Sequence, residues 1–223
     1  MSTRRFLVTA VAIATLVIPT VAHGATIRVT SEKKPLLGNL EWESGSTRSY
    51  VNDADAAVIL PAGTALGQLV AATAFTSTPL VIGEFAGLGP YVKTIGTEKL
   101  GAKGAWDIYV NGKTPQVGAG ALVLRASDRV IWFLDGDYSK KGPVILDLQV
   151  KQLLGGVLFT VRKADGTGLK PAKGATVTVD GVAVGTTDAR GRLSIPEPED
   201  WDEAEATLKG AVGSQTVIES PLT

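Results

Sequence analysis

Short apolar runs separated by turn residues dominate this chain, and one stretch has the spacing of a helix. Thr26–Thr30 alternates polar and apolar residues, which is the pattern of a strand with one buried face. By contrast, apolar residues recur every three or four positions between Leu66 and Ala74, and Thr64 before them is suited to cap a helix. The sequence therefore predicts one helix over 64–74 in a chain built mainly of strands.

The predicted strands divide the chain into two domains. In the first half, after Thr26–Thr30, they fall at 80–85, 106–110 and 130–134, with weaker candidates at Trp42 and 57–60 and extended pieces at 91–95 and 122–124. This order predicts an α+β domain with one helix on a mixed sheet in a β-grasp-like order. In the second half they fall at 145–150, 157–163, 175–180, 192–195, 206–211 and 215–219, which predicts an all-β, Ig-like sandwich. The polar run DGDYSKKGP separates the two, so we expect domains at 25–137 and 144–223 and a linker at 138–143.

The segment WDIYVNG, residues 106–112, predicts a strand that runs into a tight turn. Alternation places Trp106, Ile108 and Val110 on one face and Tyr109 on the other. Asn-Gly is the dipeptide best suited to a type I′ turn, because both central residues of that turn need positive φ. The face with Trp106 is expected to point inward, which leaves Tyr109 free to contact another group.

Residues 1–24 have the pattern of a secretory signal peptide. Arg4 and Arg5 precede an apolar run, and small residues near Gly24 suit cleavage between Gly24 and Ala25. The apolar run is shorter than the roughly 20 residues that a membrane helix needs. We therefore expect an exported protein, secreted or associated with the cell envelope, with no membrane span in the mature chain.

Removal of the signal peptide would also limit the chemistry of the chain. The 22 Lys and Arg residues lose Arg4 and Arg5, which leaves 20 against 22 Asp and Glu, so binding to nucleic acid is not expected. The one histidine, His23, would leave too, and the chain has no cysteine. Without these residues a Ser-His-Asp triad, a thiolate nucleophile and an ordinary zinc site are excluded. We predict no enzymatic activity, no catalytic residue and no metal site.

Two motifs with known chemistry are incomplete. Asp135-x-Asp137 opens like a calcium-binding EF-hand loop, but Lys140 and Leu146 stand where that loop needs glycine and glutamate. The glycine spacing of Gly96–Ala102 matches a phosphate-binding loop, but Ala102 replaces the required lysine. The first segment is therefore interpreted as a solvated interdomain loop, and the second is not a phosphate-binding loop.

An acidic cluster surrounds Trp201. Its carboxylates could bind calcium or sugar, or could supply the acid pair of a glycosidase, which is the least favoured hypothesis. The alternative is a solvated loop in which Trp201 packs down as an anchor. The cluster consists of Glu197, Glu199, Asp200, Asp202, Glu203 and Glu205.

The first half resembles the transcobalamin-like C-terminal domain family, a β-grasp-like domain of unknown function in exported bacterial proteins. The matching residues are Trp106, Tyr109 to Lys113, Pro115, Val117 to Ala119, Leu124, Asp128, Val130 and Trp132, with weaker matches at 61–66 and 89–96. The resemblance covers about residues 25–137 and implies a β-grasp fold. In transcobalamins the related domain caps cobalamin together with a helical barrel, and no stretch of this sequence resembles that barrel.

The second half resembles carboxypeptidase-regulatory-like, transthyretin-like or Ig-like surface modules. The similarity lies in Pro171 to Val177 and in the run GTTDARGR at 185–192. Such modules serve as spacers and adhesive units in exported bacterial proteins. The resemblance therefore implies a small β-sandwich over 144–223.

Two functional hypotheses remain besides the glycosidase. The first is a non-enzymatic binding or structural module of the cell surface or extracellular space, whose partner is a cell-envelope component or another exported protein. The second is a small-ligand-binding protein, with cobalamin or a similar flat cofactor as the ligand and with no other cofactor expected. The candidate ligand-binding residues are Tyr91, Tyr109 and Gln116. Ligand capture predicts a concave apolar pocket beside residues 106–121.

Overall fold

The protein is largely β in a computed structural model that describes residues 25–31, 35–42, 48–61, 63–85, 87, 89–137, 139–196 and 201–218. The predicted signal peptide lies outside these residues. The described helix is α1, Ala65–Phe75. The strands are β1 Ala25–Thr30, β2 Pro35–Trp42, β3 Arg48–Val51, β4 Ala57–Leu60, β5 Leu80–Phe85, β6 Gly89–Ile95, β7 Glu98–Lys99, β8 Ala105–Val110, β9 Arg129–Asp135, β10 Ile145–Leu153, β11 Gly156–Ala164, β12 Leu169–Pro171, β13 Thr176–Val179, β14 Val182–Thr186, β15 Arg192–Pro196, β16 Glu203–Thr207 and β17 Val217–Ile218.

The main sheet of the first half is mixed, as predicted. Its strand order is β2-β1-β9-β8. β1 runs parallel to β9, while the β1–β2 and β8–β9 pairs are antiparallel. Two smaller antiparallel sheets, β3-β4 and β5-β6-β7, accompany it. In this arrangement β8 lies at the edge of the main sheet.

Helix α1 begins one residue later than the predicted range and confirms the prediction. The hydroxyl Oγ1 of Thr64 accepts a hydrogen bond from the Gly67 amide at 3.2 Å, so Thr64 is the N-cap. Leu66 and Leu69 are fully buried and join Ile27 and Trp132 in the core between the helix and the main sheet. The capped start and the burial of residues 65–69 and 71–73 on most sides of the helix explain why the segment is helical.

Two antiparallel sheets form the second half. One has the order β10-β11-β12 with β15 also paired to β11, and the other has the order β14-β13-β16-β17. Their core includes Phe159 and Trp201, whose rings meet edge-on with centroids 6.3 Å apart. β12 and β14 were not predicted. The strand predicted over 206–211 is wrong at its end, because the backbone turns at 208–211 and Gly210 has a φ of 79°.

The prediction of one buried face for β1 is also wrong, because both faces are covered. Arg28 is only 1% exposed, and its guanidinium lies against the second half. Nη1 donates to the Leu146 carbonyl at 2.6 Å and to Gln215 Oε1 at 3.1 Å, and Nη2 donates to the Gly213 carbonyl at 2.6 Å. Burial lowers the pKa of Arg28 to about 10, so the side chain stays charged at neutral pH.

A third core joins the two halves. It contains residues from both sides of the predicted linker, namely Tyr109, Ile131, Phe133, Ile145 and Ala164. Beside it, Arg129 Nη2 and Asp147 Oδ1 form an ion pair at 2.5 Å. The two halves therefore share buried apolar surface, hydrogen bonds and an ion pair.

Candidate functional site

The WDIYVNG segment forms the edge strand β8 and the turn that follows it. Trp106 and Ile108 are buried in the first core, in agreement with the predicted alternation. Tyr109 points to the opposite face but is only 2% exposed, because the second half covers it. Its ring packs against Phe133 with centroids 4.4 Å apart, and its hydroxyl donates to the Pro143 carbonyl at 3.1 Å. The group that Tyr109 contacts belongs to the same chain.

The turn after β8 has the backbone that Asn-Gly predicts. Asn111 and Gly112 have φ values of 52° and 76°. Asn111 Nδ2 donates to Asp128 Oδ1 at 2.8 Å, and Asn111 Oδ1 accepts from the Arg129 amide at 3.0 Å. The other carboxylate oxygen of Asp128 accepts from the Arg125 amide at 2.8 Å. These two residues of the family pattern therefore hold the turn against the start of β9 and have a structural role.

Gly112 places this turn against the second half. Its carbonyl accepts from the Gly168 amide at 2.9 Å, and a Cβ at position 112 would come within 2.6 Å of the Gly168 carbonyl carbon. Glycine is required here both for the positive φ and for the close backbone approach.

A first cleft lies between β6 and β8, directly beside the 106–119 region. This edge cleft has a volume of about 200 Å³ and is lined by Pro90–Val92 of β6, Trp106–Ile108 of β8 and loop residues including Pro115 and Val117–Ala119. The Ala119 carbonyl accepts from the Leu66 amide at 3.0 Å. The loop thus satisfies a free amide at the N-terminus of α1 and is held over the cleft.

A second cleft lies on the other side of Tyr91 and Trp106. This aromatic cleft has a volume of about 320 Å³, and its lining residues are Phe85, Tyr91, Val92, Leu100, Gly104, Ala105 and Trp106. Phe85 and Tyr91 are stacked, with ring centroids 4.0 Å apart and planes 21° apart. Tyr91, Val92 and Trp106 line both clefts and form the wall between them.

Two tryptophans that line the edge cleft have buried indole N–H groups. Nε1 of Trp106 and Nε1 of Trp132 are buried without a hydrogen-bond partner in the described structure, and both side chains line the edge cleft. An unpaired buried donor costs roughly 1–3 kcal/mol.

A third cleft, here called the polar cleft, lies between the two halves. It has a volume of about 320 Å³ and is lined by Tyr109 together with Asp107, Asp135, Asp165 and Lys141, among others. Burial, followed by the charges of these three aspartates, raises the pKa of Tyr109 to about 12, so its hydroxyl remains protonated at neutral pH. Burial likewise raises the pKa of Asp107. Among the described residues, no group of His, Cys, Asp or Glu is arranged to hold a metal ion.

The three candidate ligand-binding residues lie in different places. Tyr91 stands in the wall between the edge cleft and the aromatic cleft. Gln116 is exposed in the loop of the edge cleft, between the lining residues Pro115 and Val117. Tyr109 lines the polar cleft on the other face of the main sheet. The structure thus brings Tyr91 and the Gln116 loop to one cleft and separates them from Tyr109.

Sequence reasoning missed Phe85 and Gly83 as parts of a site. Phe85 is 52% exposed at the end of an apolar strand, and Gly83 interrupts that strand two positions earlier. A glycine within a strand often marks a close approach by another group, which was the available signal. Here the approaching group is the Tyr91 ring, 2.7 Å from the position that a Cβ on Gly83 would take.

The acidic cluster around Trp201 is only partly described, since Glu197, Glu199 and Asp200 lie outside the described residues. Trp201 is 2% exposed, which confirms it as an anchor. Glu203 and Glu205 lie in β16 and not in a connecting loop. The amides of Asp202 and Glu203 donate to Asp180 Oδ1 at 3.0 and 2.9 Å, and Glu205 accepts from Thr216.

The loop at 135–140, whose sequence begins like an EF-hand loop, is held by hydrogen bonds and an ion pair among its own residues. Asp137 Oδ1 accepts from Ser139 Oγ at 2.6 Å, and Asp137 Oδ2 pairs with Lys140 Nζ at 3.0 Å. These contacts lower the pKa of Asp137. Asp135 Oδ1 accepts from the Asp137 amide at 2.9 Å. The carboxylates of this loop thus stabilise a turn.

Comparison with known families gives one match. Residues 72–136 match the model of a domain of unknown function, DUF4430, which is consistent with the transcobalamin-like family that the motif resembles. A search of curated proteins and a search of solved structures each found no match. The matched range includes β8, its turn and β9, together with every lining residue of the aromatic cleft.

The described part of the chain has no helix with the length and apolar character of a membrane span.

Proposed function

We propose that this protein is an exported, non-enzymatic binding module of the bacterial cell surface or extracellular space. In this proposal a β-grasp-like domain, 25–137, carries the binding site, and an Ig-like sandwich, 144–223, supports it. The observation that carries the proposal is the pair of neighbouring clefts, the edge cleft between β6 and β8 and the aromatic cleft, which share Tyr91, Val92 and Trp106 as lining residues. The partner is a cell-envelope component or another exported protein.

The contacts between the two halves, here called the joint, support the proposal that the second half holds the binding site in one orientation. Arg28 donates three hydrogen bonds across the joint, and Tyr109 is buried within it. Buried charge that is well hydrogen-bonded favours one relative placement of two elements. The sandwich can therefore hold the clefts at a defined orientation relative to the surface from which the module extends.

The chemistry of the edge cleft and the aromatic cleft supports binding in preference to catalysis. Among the described lining residues, Asp107 and Tyr91 are the titratable groups of the edge cleft, and Tyr91 is that of the aromatic cleft. General acid–base catalysis requires a base within hydrogen-bond reach of a reacting group, and nucleophilic catalysis requires an activated nucleophile beside it. Neither cleft presents such a pair.

Retention on cell-envelope fractions tests the proposal. A Cβ at Gly118 would meet nothing within 4 Å, so Gly118→Trp should fold while its indole fills the edge cleft. Gly38 in β2 has equally open surroundings and lies outside the clefts, so Gly38→Trp is the matched control. We expect retention of the wild type and of Gly38→Trp, and loss of retention for Gly118→Trp. The proposal is contradicted if the wild type is not retained or if all three chains bind alike.

A second candidate function is binding of a flat, cobalamin-like ligand. It is favoured by the position of the edge cleft, since ligand capture predicts a concave site beside residues 106–121. The volume of about 200 Å³ is below the range of roughly 300–1,000 Å³ typical of small-molecule pockets. A corrin ring would therefore lie across Phe85 and Tyr91 and not inside the edge cleft. Titration with cyanocobalamin, followed by absorbance and co-elution, tests this candidate, and an unchanged spectrum without co-elution removes it.

A further inference from the structure

We propose that the aromatic cleft binds a small, planar, uncharged aromatic molecule whose ring packs against the Phe85–Tyr91 stack. This inference rests on the proposed binding function and specifies the chemistry of the ligand. It depends on four observations, namely the stacked pair, the space that Gly83 provides, the absence of charge in the lining, and the indole of Trp106.

The stacked pair provides a flat apolar surface at the cleft. The rings of Phe85 and Tyr91 are 4.0 Å apart with planes 21° apart, and Phe85 remains 52% exposed. Aromatic rings favour offset-stacked or edge-to-face contacts with other rings, which gain more than their buried area alone provides. A planar ligand can make such contacts over a whole ring face, whereas an aliphatic chain cannot.

Gly83 is what permits this arrangement. It pairs with Tyr91 across the β5–β6 ladder. A Cβ at position 83 would lie 2.7 Å from Tyr91 Cε1 and 2.6 Å from Lys93 Cε. Any larger residue would therefore push the tyrosine ring from its place beside Phe85. Glycine at position 83 therefore leaves the space that the Tyr91 ring occupies.

The lining favours an uncharged ligand. No residue with a formal charge at neutral pH is among the described residues that line the aromatic cleft. Lys93, the neighbour in sequence of the lining residue Val92, pairs with Asp53, and its Nζ lies 5.7 Å from the centroid of the Tyr91 ring. This cation therefore already has an anion and a ring face as partners. A charged ligand would lose hydration at this apolar surface without gaining a counter-ion.

The volume of the cleft and the unpaired indole N–H of Trp106 further limit which ligands fit. A cavity on the order of 150 Å³ lined by apolar side chains is sufficient to bind benzene. The aromatic cleft, at about 320 Å³, is large enough for a bicyclic ring. Trp106 in its wall is nine-tenths buried, and its Nε1–H has no partner in the described structure. Contact with this indole offers a direct spectroscopic signal of occupancy.

Three probes test the inference, namely indole, an aliphatic alcohol of similar size (1-octanol) and a charged derivative of indole (indole-3-acetate). Each is titrated into the ¹⁵N-labelled chain while the tryptophan indole N–H signals are followed by NMR. We expect indole to shift the Trp106 signal in a saturable way and to leave the Trp201 signal unchanged, since Trp201 lies in the second-half core. Octanol should bind about two- to tenfold more weakly, because it cannot stack, and indole-3-acetate at least about tenfold more weakly, because its charge loses hydration. The inference is overturned if indole does not bind, or if either of the other probes binds as tightly.

A pair of phenylalanine variants locates the site. Phe85→Ala removes half of the stack and should weaken indole binding by about two- to tenfold. Phe75→Ala removes another exposed phenylalanine ring, one that does not line the cleft, so indole affinity should be unchanged. Equal affinities for the two variants would place the site elsewhere and overturn the inference. If indole fails to bind while the wild type is still retained on envelope fractions, the ligand class is wrong and the binding function stands.

Discussion

Arg28 and Gln215 are 187 positions apart in the sequence, yet the guanidinium Nη1 of one donates to the side-chain oxygen of the other at 3.1 Å. Gln215 is fully buried, and its Nε2 donates in turn to the Leu148 carbonyl at 2.6 Å. This chain of bonds links β1 at the start of the first half to β10 and to the last segment of the second. The two halves are therefore expected to unfold as one unit.

The first prediction is that Arg28→Met lowers the free energy of unfolding by about 3–5 kcal/mol, because it leaves two carbonyls and the Gln215 amide oxygen without their donor in a buried site. Urea unfolding followed by circular dichroism measures the change. Arg190→Met, at an exposed turn, is the control and should change stability by less than about 0.5 kcal/mol. A wild-type curve with two separate transitions, or a loss below about 1 kcal/mol for Arg28→Met, contradicts the role given to this residue.

The second prediction concerns Gln68 in α1, which is buried with neither amide atom hydrogen-bonded in the described structure. Gln68→Met keeps the shape of the side chain and removes the unpaired groups, so the free energy of unfolding should rise by about 1 kcal/mol. Gln116→Met makes the same change at an exposed loop and should leave stability nearly unchanged. Destabilisation by Gln68→Met would show that the amide has partners in solution.

The third prediction follows from the raised pKa of Tyr109, about 12 against an ordinary value of 10.0. The folded protein holds this proton more tightly than the unfolded chain, so the stabilisation is complete below pH 10 and is lost as the pH rises toward 12. The free energy of unfolding should therefore fall more steeply across this interval for the wild type than for Tyr109→Phe. Parallel curves for the two proteins would mean that the tyrosine is not buried at the joint.

The fourth prediction concerns the turn after β8. Asn111→Ala keeps a Cβ at a φ of 52° but lacks the side-chain amide through which asparagine tolerates the left-handed region, and it removes both side-chain hydrogen bonds of Asn111. It should therefore cost about 2–3 kcal/mol of stability. Asn111→Gly tolerates the φ and loses only the bonds, so it should cost about 1 kcal/mol less. Thermal unfolding of the two variants gives the comparison. Equal losses would show that backbone conformation does not contribute.

Local signals explain what could be predicted from sequence. The helix after Thr64, the alternation in β8 and the positive φ values at Asn111 and Gly112 all depend on residues within a few positions of one another. The mixed main sheet followed from the number and order of the strands. Features of this kind depend little on the rest of the fold.

Contacts distant in sequence explain what could not be predicted. Arg28 occupies a polar position of an alternating strand, and only the arrival of residues from the second half buries it. Tyr109 lies on the face of β8 that was expected to stay free, and residues of the second half bury it for the same reason. The aromatic cleft depends on the contact of β6 with β8, which brings Trp106 to the same cleft as Tyr91. This contact is not encoded in a local motif.

The most direct test of the central claim, that the clefts of the first half hold the partner, is an affinity measurement. Fluorescently labelled wild type, Gly118→Trp and Gly38→Trp are titrated onto a purified cell-envelope fraction. The account predicts that Gly118→Trp weakens the apparent Kd by at least about tenfold, or about 1.4 kcal/mol, while Gly38→Trp matches the wild type. Equal Kd values for Gly118→Trp and the wild type would contradict it.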